Sequence, residues 1–206
     1  MKDTPLPTSP SSPTKGLICW DLDGVVLTSA YSENSSPNSQ KLYNALHNSA
    51  LWQQCLTGQV PLPDAVAQKS AELGITLADQ NDLLREWQGV FLFRQGTIRL
   101  IRSMKQRGWQ TAIASNQDGR RAQTLRQILF LDDVVDVWGF SAEMGLAKPD
   151  PAFYRAIHAM AKVPATLPCV MIDDKPDNLE APAAMGWYTH LYQTEAGLEA
   201  FLATLP

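Results

Sequence analysis

The run Gly16-Leu17-Ile18-Cys19-Trp20 breaks abruptly at Asp21-Leu22-Asp23-Gly24. A continuous apolar stretch of strand length, closed by acid and glycine, reads as a strand buried on both faces with polar groups at its C-terminal end. Strands of that kind belong to parallel sheets covered by helices, and the rest of the chain supplies the other parts. Thr111-Ala112-Ile113-Ala114 ends at Ser115-Asn116, and Cys169-Val170-Met171-Ile172 ends at Asp173-Asp174. Val134-Val135-Asp136-Val137-Trp138 and residues 187–192 are two further strand candidates. Apolar residues at helical spacing lie between them: Ile98, Ile101 and Met104; Ala122, Leu125, Ile128 and Leu129; Phe153, Ile157 and Met160 behind Asp150 as N-cap and Pro151 at the first helical position. Leu198, Phe201, Leu202 and Leu205 close the chain with one more helix. Alternating strand and helix predicts an α/β fold with a doubly wound, Rossmann-like parallel sheet. Ligands bind such sheets beyond the carboxyl ends of the strands. Three of those ends carry polar residues, so they converge on one site.

The alternation breaks between residues 29 and 96. A polar stretch at 29–41 leads into helical segments around 41–55, 63–73 and 79–88, which is too much for a βα loop. The expected organisation is therefore a flexible Pro/Ser/Thr-rich tail at 1–15, a core formed by 16–28 and 97–206, and a small helical insertion at 29–96. At 206 residues this is one domain carrying an insertion. With 45% hydrophobic residues the chain can bury a full core. The net charge of −4 and a pI near 5.3 argue against nucleic acid as a partner, which needs clustered basic charge. No apolar run reaches the roughly 18 residues of a membrane span. Three cysteines without metal-type spacing, and no visible signal peptide, lead to the expectation of a reduced cytoplasmic protein.

Asp21 and Asp23, two apart on an extended strand end, project to the same side. One carboxylate can attack phosphorus, and the second can protonate the leaving oxygen and later activate water. The second role needs a raised pKa, which a neighbouring anion promotes. Asp173 and Asp174 add two more carboxylates, a cluster suited to a hard cation such as Mg²⁺. Ser115 and Asn116 offer a hydroxyl and amides to a phosphate, with the helix N-terminus near Asp118 assisting; an ordinary strand-to-helix turn is the alternative. For Asp174 and Asp177, capping of a helix that begins near Pro176 competes with the metal role. Lys148, in a loop before Pro149, gains meaning only from the other three segments.

Together and in order, Asp21-Leu22-Asp23-Gly24-Val25, Ser115-Asn116, Lys148-Pro149 and Asp173-Asp174 resemble the haloacid dehalogenase (HAD) superfamily of phosphohydrolases, over about residues 16–193. The resemblance implies a sheet of strand order 5-4-1-2-3, with Cys19 and Cys169 close together in the core. It implies Asp21 as nucleophile and Mg²⁺ ligand, and Asp23 as general acid/base with its main-chain carbonyl on the metal. Ser115 and Asn116 would bind the phosphoryl group, Lys148 would balance its charge, and Asp173 and Asp174 would complete the Mg²⁺ shell. The insertion is similar to the helical type-1 cap, and Thr57-Gly58-Gln59-Val60-Pro61 resembles the cap of phosphatases related to α-glucose-1-phosphate phosphatase. Pro182 departs from the pattern: it falls inside the expected helix after Asp174, where a kink would shift Asp177.

The expected activity is Mg²⁺-dependent hydrolysis of a small phosphate monoester, a sugar phosphate among the candidates, through an aspartyl-phosphate. A phosphomutase or phosphotransferase is one alternative, and a non-catalytic binding module another. Dehalogenation is disfavoured, because it needs no acid at position 23. Trp52, Trp87 and Arg94 are candidates for substrate choice, but the stronger reading makes them core or hinge residues. Set aside Asp21, Asp23, Asp173, Asp174, Asp177 and Lys148, and 16 acidic residues balance 16 basic ones. The net charge is thus expected to sit in the site.

Overall fold

The computed structural model describes residues 14–28, 36–88 and 92–206. In chain order the elements are β1 (Leu17–Trp20), β2 (Leu27–Thr28), α1 (Pro37–His47), α2 (Ala50–Leu56), α3 (Leu62–Leu73), α4 (Leu77–Gln88), β3 (Leu92–Phe93), α5 (Gln95–Gln106), β4 (Gln110–Ser115) and α6 (Gly119–Ile128). They continue with β5 (Val137–Phe140), α7 (Ser141–Met144), α8 (Pro151–Ala161), β6 (Cys169–Asp173), α9 (Asp177–Ala184), β7 (Tyr188–Leu191) and α10 (Glu195–Ala203).

Five strands form a parallel sheet in the order β5-β4-β1-β6-β7, which is the order expected. The central strand β1 is wholly buried and alternates its side chains between two cores. Ile18 and Trp20 join Ile113, Val170 and Ile172 under α5, α6 and α10. Leu17 and Cys19 join Ala112, Met171, Phe153 and Ile157 under α8 and α9. Register aligns Leu17 with Cys169 across β1 and β6, so Cys19 and Cys169 share one core as expected, both as free thiols.

Several boundaries move. Positions 1–13 of the expected tail lie outside the described residues, but Thr14 and Lys15 are not tail: the Lys15 amide donates to Gly108 O at 2.9 Å. The third strand begins at Val137 rather than Val134. Val134 and Val135 instead donate back to Leu131 O and bury their side chains from a turn. Asp136 fixes that turn by accepting the Thr111 amide at 2.9 Å while pairing with Lys105. The segment expected at 41–55 is two helices. Asn48 ends the first, and the Ser49 hydroxyl donates to Leu46 O at 2.6 Å, breaking the run before α2.

Helices α1 to α4 bury their own apolar cluster, built on Leu42, Leu46, Trp52, Leu62, Val66 and Leu83. The antiparallel ribbon β2–β3 stands between this insertion and the sheet. Gly58 seats the insertion on the core. Its φ is +70°, and a Cβ there would come within 2.4 Å of Ala142 O in α7.

Burial pushes the Cys55 and Cys169 thiols up to about 11 and raises Cys19 as well. The thiolate is the reactive form. A thiol reagent at neutral pH should therefore leave all three cysteines unmodified in the native protein and react with three equivalents once denaturant is added.

Candidate active site

The carboxyl ends of β1, β4 and β6 bring the predicted residues together. Asp21 continues β1, its amide donating to Ile172 O at 3.0 Å, while its own carboxylate accepts the Leu22 amide at 2.8 Å. The chain then folds back tightly, with the amides of Val25, Val26 and Leu27 all donating to Leu22 O. Gly24 makes that turn possible. Its φ is +86°, and a Cβ would lie 2.2 Å from the Asp174 carboxylate. The Asp-Leu-Asp-Gly spacing thus reflects close contact between two strand ends as well as backbone freedom.

Lys148 is buried, with its ammonium 3.0 Å from Asp21 and 2.5 Å from Asp173. Burial works against its charge, but the two carboxylates outweigh it and raise the lysine pKa. Asp173 is also fully buried, and it accepts the Lys175 amide at 2.9 Å and the Asn178 amide group at 3.0 and 3.1 Å. Carboxylate oxygens of Asp21, Asp173 and Asp174 lie within 4.8 Å of one another. Burial pushes Asp21 up to about 6, against the pull of Lys148 and with help from Asp173 and Asp23. Burial and Asp173 likewise raise Asp174, one of whose oxygens is enclosed without a partner among the described residues.

Three expectations need correction. The neighbouring anion does not raise Asp23. Burial pushes upward, but the Arg121 guanidinium and the Gln117 amide outweigh it and hold the carboxyl below its usual range. Arg121 grips both oxygens, at 2.5 and 2.7 Å, and Gln117 donates at 2.7 Å. Second, the N-terminus of α6 is not open to a phosphate, because Asp118 accepts the Arg120 and Arg121 amides itself. The Asn116 side chain is engaged too: it donates to Lys148 O at 2.9 Å and accepts the Lys148 amide at 2.8 Å, holding that loop in place. Third, Asp177 is exposed and stays outside the cluster, whereas Arg121 and Lys175 join the site. Four carboxylates therefore face three cations, and the net charge of the chain is not concentrated here.

Pro182 lies inside α9, as expected, and its missing amide has a use. Without an N–H at 182, Asn178 O lacks its helical donor four residues on. The Tyr154 hydroxyl of α8 donates to that oxygen at 2.6 Å. Asn178 is thereby tied to α8 through its carbonyl and to Asp173 through its amide. No sequence signal marked Asn178, Tyr154, Gln117 or Arg121 for these roles.

A cleft of about 270 Å³ opens above these groups. Its floor is Asp21, Asp23, Ser115, Asn116 and Lys148, with Lys175 and Asn178 at one side. Its roof comes from the insertion: His47, Trp52, Gln53 and Leu56. Trp87 does not line the cleft. Its indole N–H donates to Asp118 at 2.7 Å and its ring lies 5.4 Å from the Arg121 guanidinium, so it ties insertion to core. Arg94 stacks over Tyr192, away from the cleft.

The family model for haloacid dehalogenase-like hydrolases matches residues 16–186. The chain belongs to this family. Among curated relatives, a phosphatase of Mycobacterium tuberculosis is 29% identical over 153 residues, covering 70% of this chain and 69% of the relative. A sesquiterpene phosphatase of Aspergillus oryzae is 24% identical over 168 residues, covering 81% and 84%. A HAD family enzyme of Bacteroides thetaiotaomicron, solved in complex with magnesium and inorganic phosphate, superposes with a TM-score of 0.70. That match is 19% identical and covers 87% of this chain and 94% of that one, so it supports the fold.

The Tyr154–Asn178 contact makes a testable pair. Tyr154→Phe leaves a buried carbonyl unpaired and should cost about 1–3 kcal/mol in denaturant melts. Pro182→Ala restores an amide at the same carbonyl. It should recover much of that loss in the Tyr154→Phe background while giving a smaller gain alone.

Proposed function

We propose that this HAD hydrolase is a Mg²⁺-dependent phosphatase acting on a small phosphate monoester through an aspartyl-phosphate on Asp21. The observation that carries the reading is the Asp21 carboxylate itself: buried at the cleft floor, held by the Leu22 amide and Lys148, and open to a ligand above. Asp21, the Asp23 main-chain carbonyl, Asp173 and Asp174 would hold Mg²⁺. Their hard oxygens, their mutual approach and the unpartnered Asp174 oxygen fit that ion. When bound, the cation neutralises phosphate charge and orients the ester.

In the first step an Asp21 oxygen bonds to phosphorus as the bond to the leaving oxygen breaks, and Asp23 gives that oxygen a proton. In the second, Asp23 takes a proton from water, the water oxygen bonds to phosphorus, and the Asp21–phosphorus bond breaks to release phosphate. Lys148 stays between Asp21 and Asp173 and balances the phosphoryl charge, with the Ser115 hydroxyl bonding a phosphoryl oxygen. Asn116 acts through Lys148, whose main chain it holds. Arg121 and Gln117 keep Asp23 anionic, the form required in the second step. The first step needs the proton, so ester binding has to loosen that clamp. Residues 29–96 serve as the cap, a reading supported by their separate apolar cluster and their place as roof of the cleft.

Phosphate release from a generic monoester should need Mg²⁺ and stop with EDTA. Asp21→Asn should lower it by a factor on the order of 10³ or more, and acid-quenched protein should carry covalent phosphate only when Asp21 is intact. Unchanged release in Asp21→Asn overturns the mechanism.

A further inference from the structure

The floor of the cleft is charged, whereas its roof sets Trp52 and Leu56 beside His47 and Gln53. His47 and Trp52 stack at 4.6 Å between ring centroids, inclined by 27°, and Tyr43 also stacks on His47, at 4.7 Å. Trp87 meets Trp52 edge-on at 5.1 Å. The four rings make one continuous array, with Leu56 beside it at the cleft and an apolar pocket behind it that His47 and Trp52 also line. The hydrogen bond from Trp87 to Asp118 fixes the array over the core. The described roof offers a ligand the Gln53 and His47 side chains and the Trp52 indole N–H. Burial and the nearby Lys175 lower the pKa of His47.

We infer that the leaving group of the ester is a compact apolar alcohol, branched-alkyl or ring-bearing, held against His47, Trp52 and Leu56. This rests on the phosphatase reading above and names its substrate class. A hexose would bring several hydroxyls against Trp52 and Leu56, whose carbon faces accept no hydrogen bond, and each one buried there without a partner is costly. An apolar group loses nothing there and gains contact with the rings. Lys175 is exposed at the side of the cleft, and its own amide is bonded to the metal-side Asp173. Among the described residues lining the cleft, it is the cation besides the buried Lys148, and it would favour an anionic leaving group instead, so the test includes that class.

Steady-state hydrolysis with Mg²⁺ should be compared for benzyl and isopentyl phosphates, glucose 6-phosphate, glycerol phosphate and phosphoglycolate. The alcohols of this panel avoid the good leaving groups of aryl esters. The apolar esters should show kcat/KM at least ten-fold above the others. In Trp52→Asn the ratio between benzyl phosphate and glucose 6-phosphate should fall at least ten-fold, whereas Trp52→Phe should keep it. The wild-type comparison decides the matter even where the Asn variant fails to fold. Preference for the sugar phosphate or for phosphoglycolate overturns the apolar class and leaves the phosphatase reading standing. Absence of Mg²⁺-dependent turnover on every ester overturns both.

Discussion

One buried ammonium organises this molecule's reactive end. Lys148 lies within 3.0 Å of both Asp21 and Asp173, all three enclosed by protein. Two carboxylates that close and that buried would not both remain ionised without a cation between them. The lysine reaches them from a loop that starts no strand, so something must hold its backbone. Asn116 does, with a reciprocal pair of hydrogen bonds to the Lys148 main chain. Asp150 then caps α8 immediately beyond, turning the chain away from the site. The strand order brings Asp21 and Asp173 side by side, and Lys148 makes that neighbourhood tolerable.

Around this triad the surrounding shell is tied to distant parts of the chain. Asn178 holds both oxygens of Asp173 and is itself held by Tyr154, through a carbonyl that Pro182 has released from its helix. Asp23 sits in the grip of Arg121 and Gln117, and Arg121 lies against Trp87 of the insertion. Asp118 bridges the two halves by capping α6 with one oxygen and accepting Trp87 with the other. Position of the roof and restraint of Asp23 are therefore linked through neighbouring residues of a single helix start.

Much of this architecture is legible in the sequence because it depends on short-range pattern. A wholly buried strand must read as an apolar run, and its end must read as the point where polar residues begin; β1, β4 and β6 all do so. Elements of two residues carry no period, so the β2–β3 ribbon leaves no trace. The break between α1 and α2 depends on one serine hydroxyl turning back to Leu46. The partners of the site residues were hidden for another reason: Arg121 and Asp23 are 98 positions apart, and an arginine inside a helix looks like solvated surface until the fold joins them. The same holds for Asp23 itself. Its carboxylate neighbours suggested a raised pKa, but the bidentate arginine decides the sign. The core reading of Trp52 describes it: it is buried in the insertion's own cluster, from which it also lines the cleft.

The central claim is that Lys148 neutralises Asp21 and Asp173 together. Urea unfolding of Lys148→Met at pH 8, with and without Mg²⁺, tests it most directly. Removing the shared partner should destabilise the metal-free protein by about 3–5 kcal/mol. Mg²⁺ should then restore more stability to the variant than it adds to the wild type. A metal-free variant as stable as the wild type would contradict the account.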